Sequence, residues 1–248
     1  MKALITGASS GIGREIAFYL ANLGYDLYVV ARDKETLERI YRGCRSKVTT
    51  IGLNLGIREN CFALYDKVKD ENIDILVNNA GFGDAGNFTE TLLEKELEMI
   101  HVNVCAYHIL MKLFLKDFVK RGSGRILNVA SMAGFMPGPY MATYYATKSY
   151  IVNLSLAVSE ELKQSGSRVK ISVFCPGPVK TNFIKLANVH FNIESLTAEK
   201  AARIAVDGMF LNKLVILPFN MKVNYVLTKV VPVKMILFVN SKIQEKVS

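Results

Sequence analysis

The stretch Lys2-Ala3-Leu4-Ile5-Thr6-Gly7-Ala8-Ser9-Ser10-Gly11-Ile12-Gly13-Arg14 follows Met1. Three apolar residues lead into a loop whose glycines follow G-x-x-x-G-x-G, and helical periodicity begins directly after it. A short apolar run before such a loop predicts a buried strand, and the loop predicts the turn from that strand into a helix. Glycine permits close backbone approach, and the first turn of the following helix offers unpaired N–H groups at its positive dipole end. The pattern therefore predicts a cradle for a pyrophosphate, with Gly7, Ser9, Ser10, Gly11, Ile12 and Gly13 against the ligand. The competing reading is a tight strand–helix turn that holds nothing.

Outward from this stretch, apolar runs alternate with helical periodicity. Strands are predicted at 2–6, 27–31, 48–53, 73–78, 125–130, 169–175 and 213–217, and helices at 11–23, 34–42, 58–69, 94–120, 143–164 and 198–211. Most strand runs are continuously apolar and not alternating, as in parallel strands covered on both faces. Seven strands separated by helices predict an α/β fold: a single doubly wound, Rossmann-like parallel sheet with helices on both sides. No break in composition separates residues 1–217. Residues 218–248 read as an amphipathic helical extension of the same domain.

The composition narrows the class. The chain has 248 residues, half of them apolar and 21% charged, which suits one large folded domain. Four scattered cysteines (Cys44, Cys61, Cys105, Cys175) form no C-x-x-C pair, so neither a disulfide framework nor a cysteine-rich metal site is expected. His101, His108 and His190 are too dispersed to make a metal site. Reduced thiols and the absence of a signal-like apolar stretch predict a cytoplasmic protein. No apolar run approaches the ~18 residues of a spanning helix. The net charge is +9, and the last forty-one residues carry six lysines against one glutamate. A basic end attracts phosphate-bearing partners, but no nucleic-acid motif accompanies it, so nucleic-acid binding is not expected.

The second strand ends in Val29-Val30-Ala31-Arg32-Asp33. In a dinucleotide fold this end meets the adenosine ribose, where an acid accepts from the ribose hydroxyls and an arginine matches a 2′-phosphate. Arg32, with Arg14 in reach of the same group, favours NADP(H) over NAD(H). In the competing reading Asp33 faces the ribose or caps the next helix.

Tyr144 and Lys148 stand four apart at the start of a helical stretch, hence on one face. A phenol titrates near pH 10, and a neighbouring ammonium favours the phenolate. A fall to about 7–8 is worth roughly 3–4 kcal/mol. Such a tyrosine gives a proton to a carbonyl oxygen as hydride arrives, or takes one from an alcohol. Tyr140 and Tyr145 lack the lysine. Ser131 ends the fifth strand, at the sheet edge where doubly wound folds bind ligands, and can hold the substrate oxygen. Asn103 lies mid-helix, a poor place for asparagine unless it has a polar task.

Taken together these residues resemble the short-chain dehydrogenase/reductase family. The matched features are the glycine loop, Asn78-Asn79-Ala80-Gly81, Asn103, Ser131, Tyr144-x-x-x-Lys148 and Pro176-Gly177-Pro178-Val179-Lys180-Thr181, in the family's order and with its Ser-to-Tyr spacing of thirteen. The resemblance spans residues 2–217. It implies a catalytic tetrad of Asn103, Ser131, Tyr144 and Lys148: Tyr144 the acid/base, Ser131 positioning the carbonyl, Lys148 lowering the tyrosine and binding the nicotinamide ribose, Asn103 holding a water in a proton relay. It implies that Asn79, Ala80 and Gly81 line the cofactor, and that Pro176, Gly177, Val179 and Thr181 meet its nicotinamide end. Where the family often has aspartate against the adenine, this chain has Asn54, followed by Leu55; the amide oxygen preserves an acceptor without the charge. Relatives are usually dimers or tetramers, so a homo-oligomer is expected.

Beyond the motifs, Val223, Val226, Leu227, Val230 and Val231 form an apolar helical stripe flanked by Lys222 and Lys229. Core or subunit packing is the favoured reading, and a membrane surface the alternative. The resemblance also implies that the segment after the Pro-Gly motif covers the active site; here it holds Phe183, Ile184, Leu186, Val189, Phe191 and Ile193, so a bulky apolar substrate is expected. The expected activity is thus NADPH-dependent carbonyl reduction. The alternatives are an alcohol or hydroxysteroid dehydrogenase working oxidatively, and an NADP(H)-binding scaffold without turnover.

Overall fold

The structure, a computed structural model, describes residues 1–181 and 195–245. The elements in chain order are β1 (Lys2–Thr6), α1 (Gly11–Asn22), β2 (Asp26–Ala31), α2 (Lys34–Ile40), β3 (Val48–Gly52), α3 (Arg58–Val68), β4 (Ile75–Asn78), α4 (Leu93–Ile100), α5 (Tyr107–Arg121), β5 (Arg125–Val129), α6 (Ala142–Gln164) and β6 (Lys170–Phe174). After them come β7 (Val179–Lys180), β8 (Leu196–Thr197), α7 (Ala198–Phe210), β9 (Val215–Ile216), α8 (Lys222–Val230) and α9 (Val233–Glu245). Seven strands form one parallel sheet in the order β3-β2-β1-β4-β5-β6-β9. The doubly wound fold read from the sequence is what the chain adopts, with strand ends shifted by one or two residues.

The central strands are dry because both faces are covered. On one side Ile16, Ala17 and Leu20 of α1 pack with Ala201, Ala205 and Val206 of α7 over Ile5, Val29 and Val77. On the other, Leu64 of α3, with Leu110, Phe114 and Phe118 of α5, packs over Leu4, Leu76 and Ile126. Alternate residues of each strand feed the two layers, so a strand buried on both sides must be apolar throughout.

The strand order reverses between β1 and β4, which opens a crevice at their C-terminal ends. Thr6 and Asn79 close its floor. Thr6 Oγ1 accepts from the backbone N–H groups of Asn79 (2.9 Å) and Ala80 (3.0 Å). The Asn79 amide donates to the carbonyls of Thr6 (2.9 Å) and Gly7 (3.2 Å).

Two features depart from the sequence reading. The helix predicted over 94–120 is interrupted: His101–Ala106 winds as one π-helical segment between α4 and α5. Such wide turns mark functional positions in helices. A second, two-stranded parallel sheet, β7 with β8, was not foreseen. The apolar segment from Phe183 to Ile193, expected to shape the substrate site, lies outside the described residues.

Residues beyond 217 lie against the catalytic side of the sheet. Gly177 leaves room for Met221, whose Sδ would sit 2.5 Å from a Cβ built there. The ring of Tyr225 meets Phe135 edge-on at 4.8 Å, and Asn240 Nδ2 donates to the Pro137 carbonyl at 2.9 Å. Among the described residues no helix is long and apolar enough to cross a membrane.

Candidate active site

The glycine loop wraps the N-terminus of α1. Gly7 and Gly11 adopt left-handed φ values of 65° and 55°. A Cβ on Gly7 would lie 2.8 Å from Ala80 Cα, and one on Gly11 would lie 3.0 Å from Thr181 Cγ2. The loop is therefore pressed between the β4 turn and the segment after β6, which brings Thr181 onto the cradle. Ser10 is the N-cap of α1 but its hydroxyl caps nothing, and the first turn carries no acid. Two other helices are capped by side chains: Asp33 caps α2 through Thr36 N–H at 3.2 Å, and Thr197 caps α7 through Lys200 N–H at 3.2 Å. An N-terminus at a crevice that keeps its N–H groups uncapped suits an anion. The residues present fit a dinucleotide pyrophosphate.

At the end of β2 the two candidate residues separate. Asp33 is committed to its helix, accepting from both the N–H and the hydroxyl of Thr36, contacts that hold its carboxyl below the usual carboxylate range. Arg32 is exposed and takes part in no ion pair among the described residues. Arg14 is occupied by Glu15 at 2.7 Å. In the turn after β3, Asn54 Oδ1 accepts from Gly56 N–H at 3.0 Å and retains one lone pair; Leu55 is buried beside it.

Around the catalytic end, β5 delivers Ser131, α6 delivers Tyr144 and Lys148, and the π-helical segment delivers Asn103. Ser131 Oγ accepts from Ala133 N–H at 3.1 Å, which fixes it at the sheet edge. Tyr144 is buried and hydrogen-bonds with the Ser131 side chain. Its ring lies 6.1 Å from that of Tyr145. Asn103 is fully buried and braces a loop: Nδ2 donates to Phe82 O (2.8 Å) and Thr147 Oγ1 (3.1 Å), and Oδ1 accepts from Phe82 N–H (3.1 Å). Both donors are used, so the side chain has one lone pair left for a water. Gly81 lies between the two: a Cβ there would be 2.8 Å from Asn103 Oδ1 and 3.5 Å from Lys148 Nζ.

The electrostatics correct one expectation. Lys148 was expected to draw the Tyr144 phenol downward. Instead its Nζ donates to the Val129 carbonyl at 3.1 Å and lies 5.8 Å from the centre of the Tyr144 ring. Burial lowers Lys148 to about 8. Burial also drives Tyr144 well above the ordinary phenol value, against the opposing pull of its hydrogen bond with Ser131. Loss of hydration outweighs the neighbouring cation for the resting phenol.

Two positioning residues were missed. Tyr107 donates to the same Val129 carbonyl at 3.0 Å, so a strand-end oxygen serves both it and Lys148. Thr147 accepts from Asn103 and donates to the Tyr144 carbonyl at 2.7 Å, linking the π segment to α6. Tyr107 follows Asn103 by four and Thr147 precedes Lys148 by one; only this adjacency hinted at them. Among the described residues no cluster of His, Cys, Asp and Glu can hold a metal ion.

A nucleotide cradle at the switch point of a doubly wound sheet, with a serine-bound tyrosine and a buried lysine at its edge, defines a nicotinamide-type oxidoreductase acting on hydroxyl or keto groups. The family model described as short chain dehydrogenase matches residues 1–190, and the chain belongs to that family. It is 35% identical over 178 residues to a very-long-chain 3-oxoacyl-CoA reductase of Mycosarcoma maydis, a match covering 68% of this chain and 51% of that protein. It is 30% identical over 236 residues to estradiol 17-beta-dehydrogenase 11 of Rattus norvegicus, covering 92% of this chain and 79% of the other. A short-chain dehydrogenase from Sphingobium yanoikuyae, solved in complex with NADPH, superposes with a TM-score of 0.83 at 29% identity, covering 91% of each chain. The chain thus spans about half the length of the fungal reductase.

Proposed function

We propose that this chain is an NADPH-dependent carbonyl reductase whose substrate is an apolar ketone or aldehyde. The observation that carries the reading is the buried, serine-bound phenol of Tyr144, held in its protonated form at the edge of the nucleotide crevice. A nicotinamide bound in the crevice would supply hydride for the carbonyl carbon. Tyr144 gives its phenolic proton to the carbonyl oxygen, so the oxygen leaves as a hydroxyl and the tyrosine as phenolate. Ser131 holds that oxygen in line. Lys148, with its ammonium inside the site, offsets the phenolate until it is reprotonated. A phenol kept neutral favours giving a proton over taking one, which supports reduction as the working direction; oxidation of a secondary alcohol is the same path reversed. The names of the fungal and rat relatives, a long-chain acyl reductase and a steroid dehydrogenase, support a large apolar substrate. A panel of ketones graded by size, followed by loss of NADPH absorbance, tests this: turnover confined to small polar ketones overturns it.

The choice of cofactor rests on Arg32, exposed at the end of β2 and in no ion pair among the described residues, where a ribose 2′-phosphate would lie, while Asp33 is spent on its helix. Arg32→Ala is expected to weaken NADP(H) binding about 10–150-fold, as loss of a charged hydrogen-bond pair of roughly 1.5–3 kcal/mol, and to leave NAD(H) binding within about twofold. Fluorescence titration with both reduced cofactors checks it.

The pH profile has a fixed sign. Lys148 is charged below about 8 and neutral above, whereas Tyr144 stays protonated across that range. Reductive kcat/KM is therefore expected to be level at lower pH and to fall as pH rises through about 8. Stability has opposing contributions above pH 8. Lys148 alone favours folding as pH rises, because an unfolded lysine keeps its proton to about 10.4, whereas Cys61 and Cys175, raised by burial, keep in the fold the protons that unfolded thiols lose near about 8.5. The two thiols outnumber the one lysine, so melting temperature is expected to fall as pH rises from about 8.5 to about 10.

We take the working form to be a cytoplasmic homodimer or tetramer. Exposed Leu93, Leu97 and Val119 on α4 and α5 supply apolar surface for such contacts. Light scattering after gel filtration tests it.

A further inference from the structure

Helices α8 and α9 are mounted inside out. In an ordinary surface helix the apolar stripe faces the body of the protein. Here Val223, Val226, Leu227 and Val230 follow i, i+3, i+4, i+7 along α8, and all four are exposed, Val223 at 68% and Val230 at 70%. What holds α8 to the protein is its other side: Tyr225 against Phe135, with Lys229 above both rings at 5.6 Å. α9 is pinned by the amide of Asn240 on the Pro137 carbonyl. Its outward side shows Phe238 at 61%, and the approach to α8 shows Phe219 at 84%. The reading of this stripe as core cover is therefore overturned.

Charge identifies the occupant. Lys222, Lys234 and Lys242 rim this surface, and no aspartate or glutamate falls between Pro218 and Gln244. Lys222 lies 5.4 Å over the Phe219 ring and Lys242 4.3 Å over that of Phe238, so the cations stand beside the aromatic residues that project furthest. An apolar ridge with a cationic rim matches an interface whose interior is hydrocarbon and whose headgroups are anionic. A second copy would set lysine against lysine, and a nucleic acid would leave the apolar ridge unused.

We propose that the α8–α9 surface docks on an anionic phospholipid bilayer, with Phe219, Val223, Val230 and Phe238 entering the headgroup boundary and the lysines engaging lipid phosphates. The docking does not depend on the reaction assigned above. Where that reaction holds, docking brings the rim of the site, through Phe135 and Pro137, to the phase in which an apolar carbonyl compound dissolves.

The test is co-sedimentation of the full chain with vesicles of phosphatidylcholine, with and without phosphatidylglycerol. Two double variants accompany it, Val226→Glu with Val230→Glu and Lys222→Ala with Lys234→Ala, all at exposed positions. Unchanged melting curves and unchanged NADPH affinity establish that they are folded, so the outcome is independent of turnover. Expected is sedimentation with anionic vesicles that weakens with added salt, falls about thirty-fold on loss of the two lysines, and disappears with the two glutamates. No sedimentation with anionic vesicles overturns the proposal, as does equal binding to vesicles of phosphatidylcholine alone or binding indifferent to both variants. A concentration-dependent dimer abolished by the glutamates, without vesicle binding, overturns it in favour of self-association.

Discussion

Tyr144→Phe is expected to reduce NADPH-linked turnover of a responsive ketone by about a thousandfold or more, while cofactor affinity stays within about twofold. The substitution removes one oxygen and little else. The ring continues to pack with Met99, Ala133 and Met141 and against Tyr145. The hydrogen bond with Ser131 is lost, worth about 1 kcal/mol, so the variant folds. What disappears is the proton: nothing else at that place carries one, because the Ser131 hydroxyl is a far weaker acid and Lys148 is turned toward Val129. A variant that retained about a tenth of the wild-type rate would refute the assignment, since one misplaced proton donor alone costs 10²–10⁴-fold. Comparing kcat with cofactor affinity on one preparation distinguishes lost chemistry from a collapsed site.

Gly13→Ala is expected to have the largest effect on the fold. A methyl group there would overlap the Asn79 amide and the Gly7 carbonyl. Neither can yield cheaply. The amide is fastened to the Thr6 and Gly7 carbonyls, and the other neighbour is backbone. Making room means prising the β1 turn from the β4 turn, which breaks the clasp that closes the crevice. Overpacking of this kind costs about 3 kcal/mol, or roughly 6–12 °C in melting temperature for a chain of this size. A loop displaced by about 1 Å also costs turnover about 100-fold. Gly24→Ala is the control: a Cβ there meets nothing within 4 Å, and only its left-handed φ of 85° is strained, for about 1 kcal/mol. Equal losses at the two positions would remove the argument.

The sheet was legible because burial on both faces leaves a strand no choice but to be apolar, and the glycines at 7, 11 and 13 punctuated its first turn. The site residues were legible as types, since an isolated polar residue at a strand end or within a helix asks for a reason. Their environment was not. That Lys148 is dehydrated and turned to Val129 depends on what β5 and α5 place around it, and no spacing records that. The π-helical segment escaped notice because one residue of excess in a helix leaves the apolar period almost intact. β7 and β8 are two residues each, too short for any pattern. The stripe on α8 showed that a face exists; periodicity does not say whether it looks inward.

The central position of β1 bears on how the chain is made. One edge of β1 pairs with β2, beginning about twenty residues later, and the other waits for β4 at Ile75–Asn78. On a ribosome, β1 emerges before β4 and is thus left with an open flank until some seventy more residues have been added. During that interval its amides and apolar side chains are available to any neighbouring nascent chain. Chaperone capture during that interval would shield the open flank until β4 pairs with it.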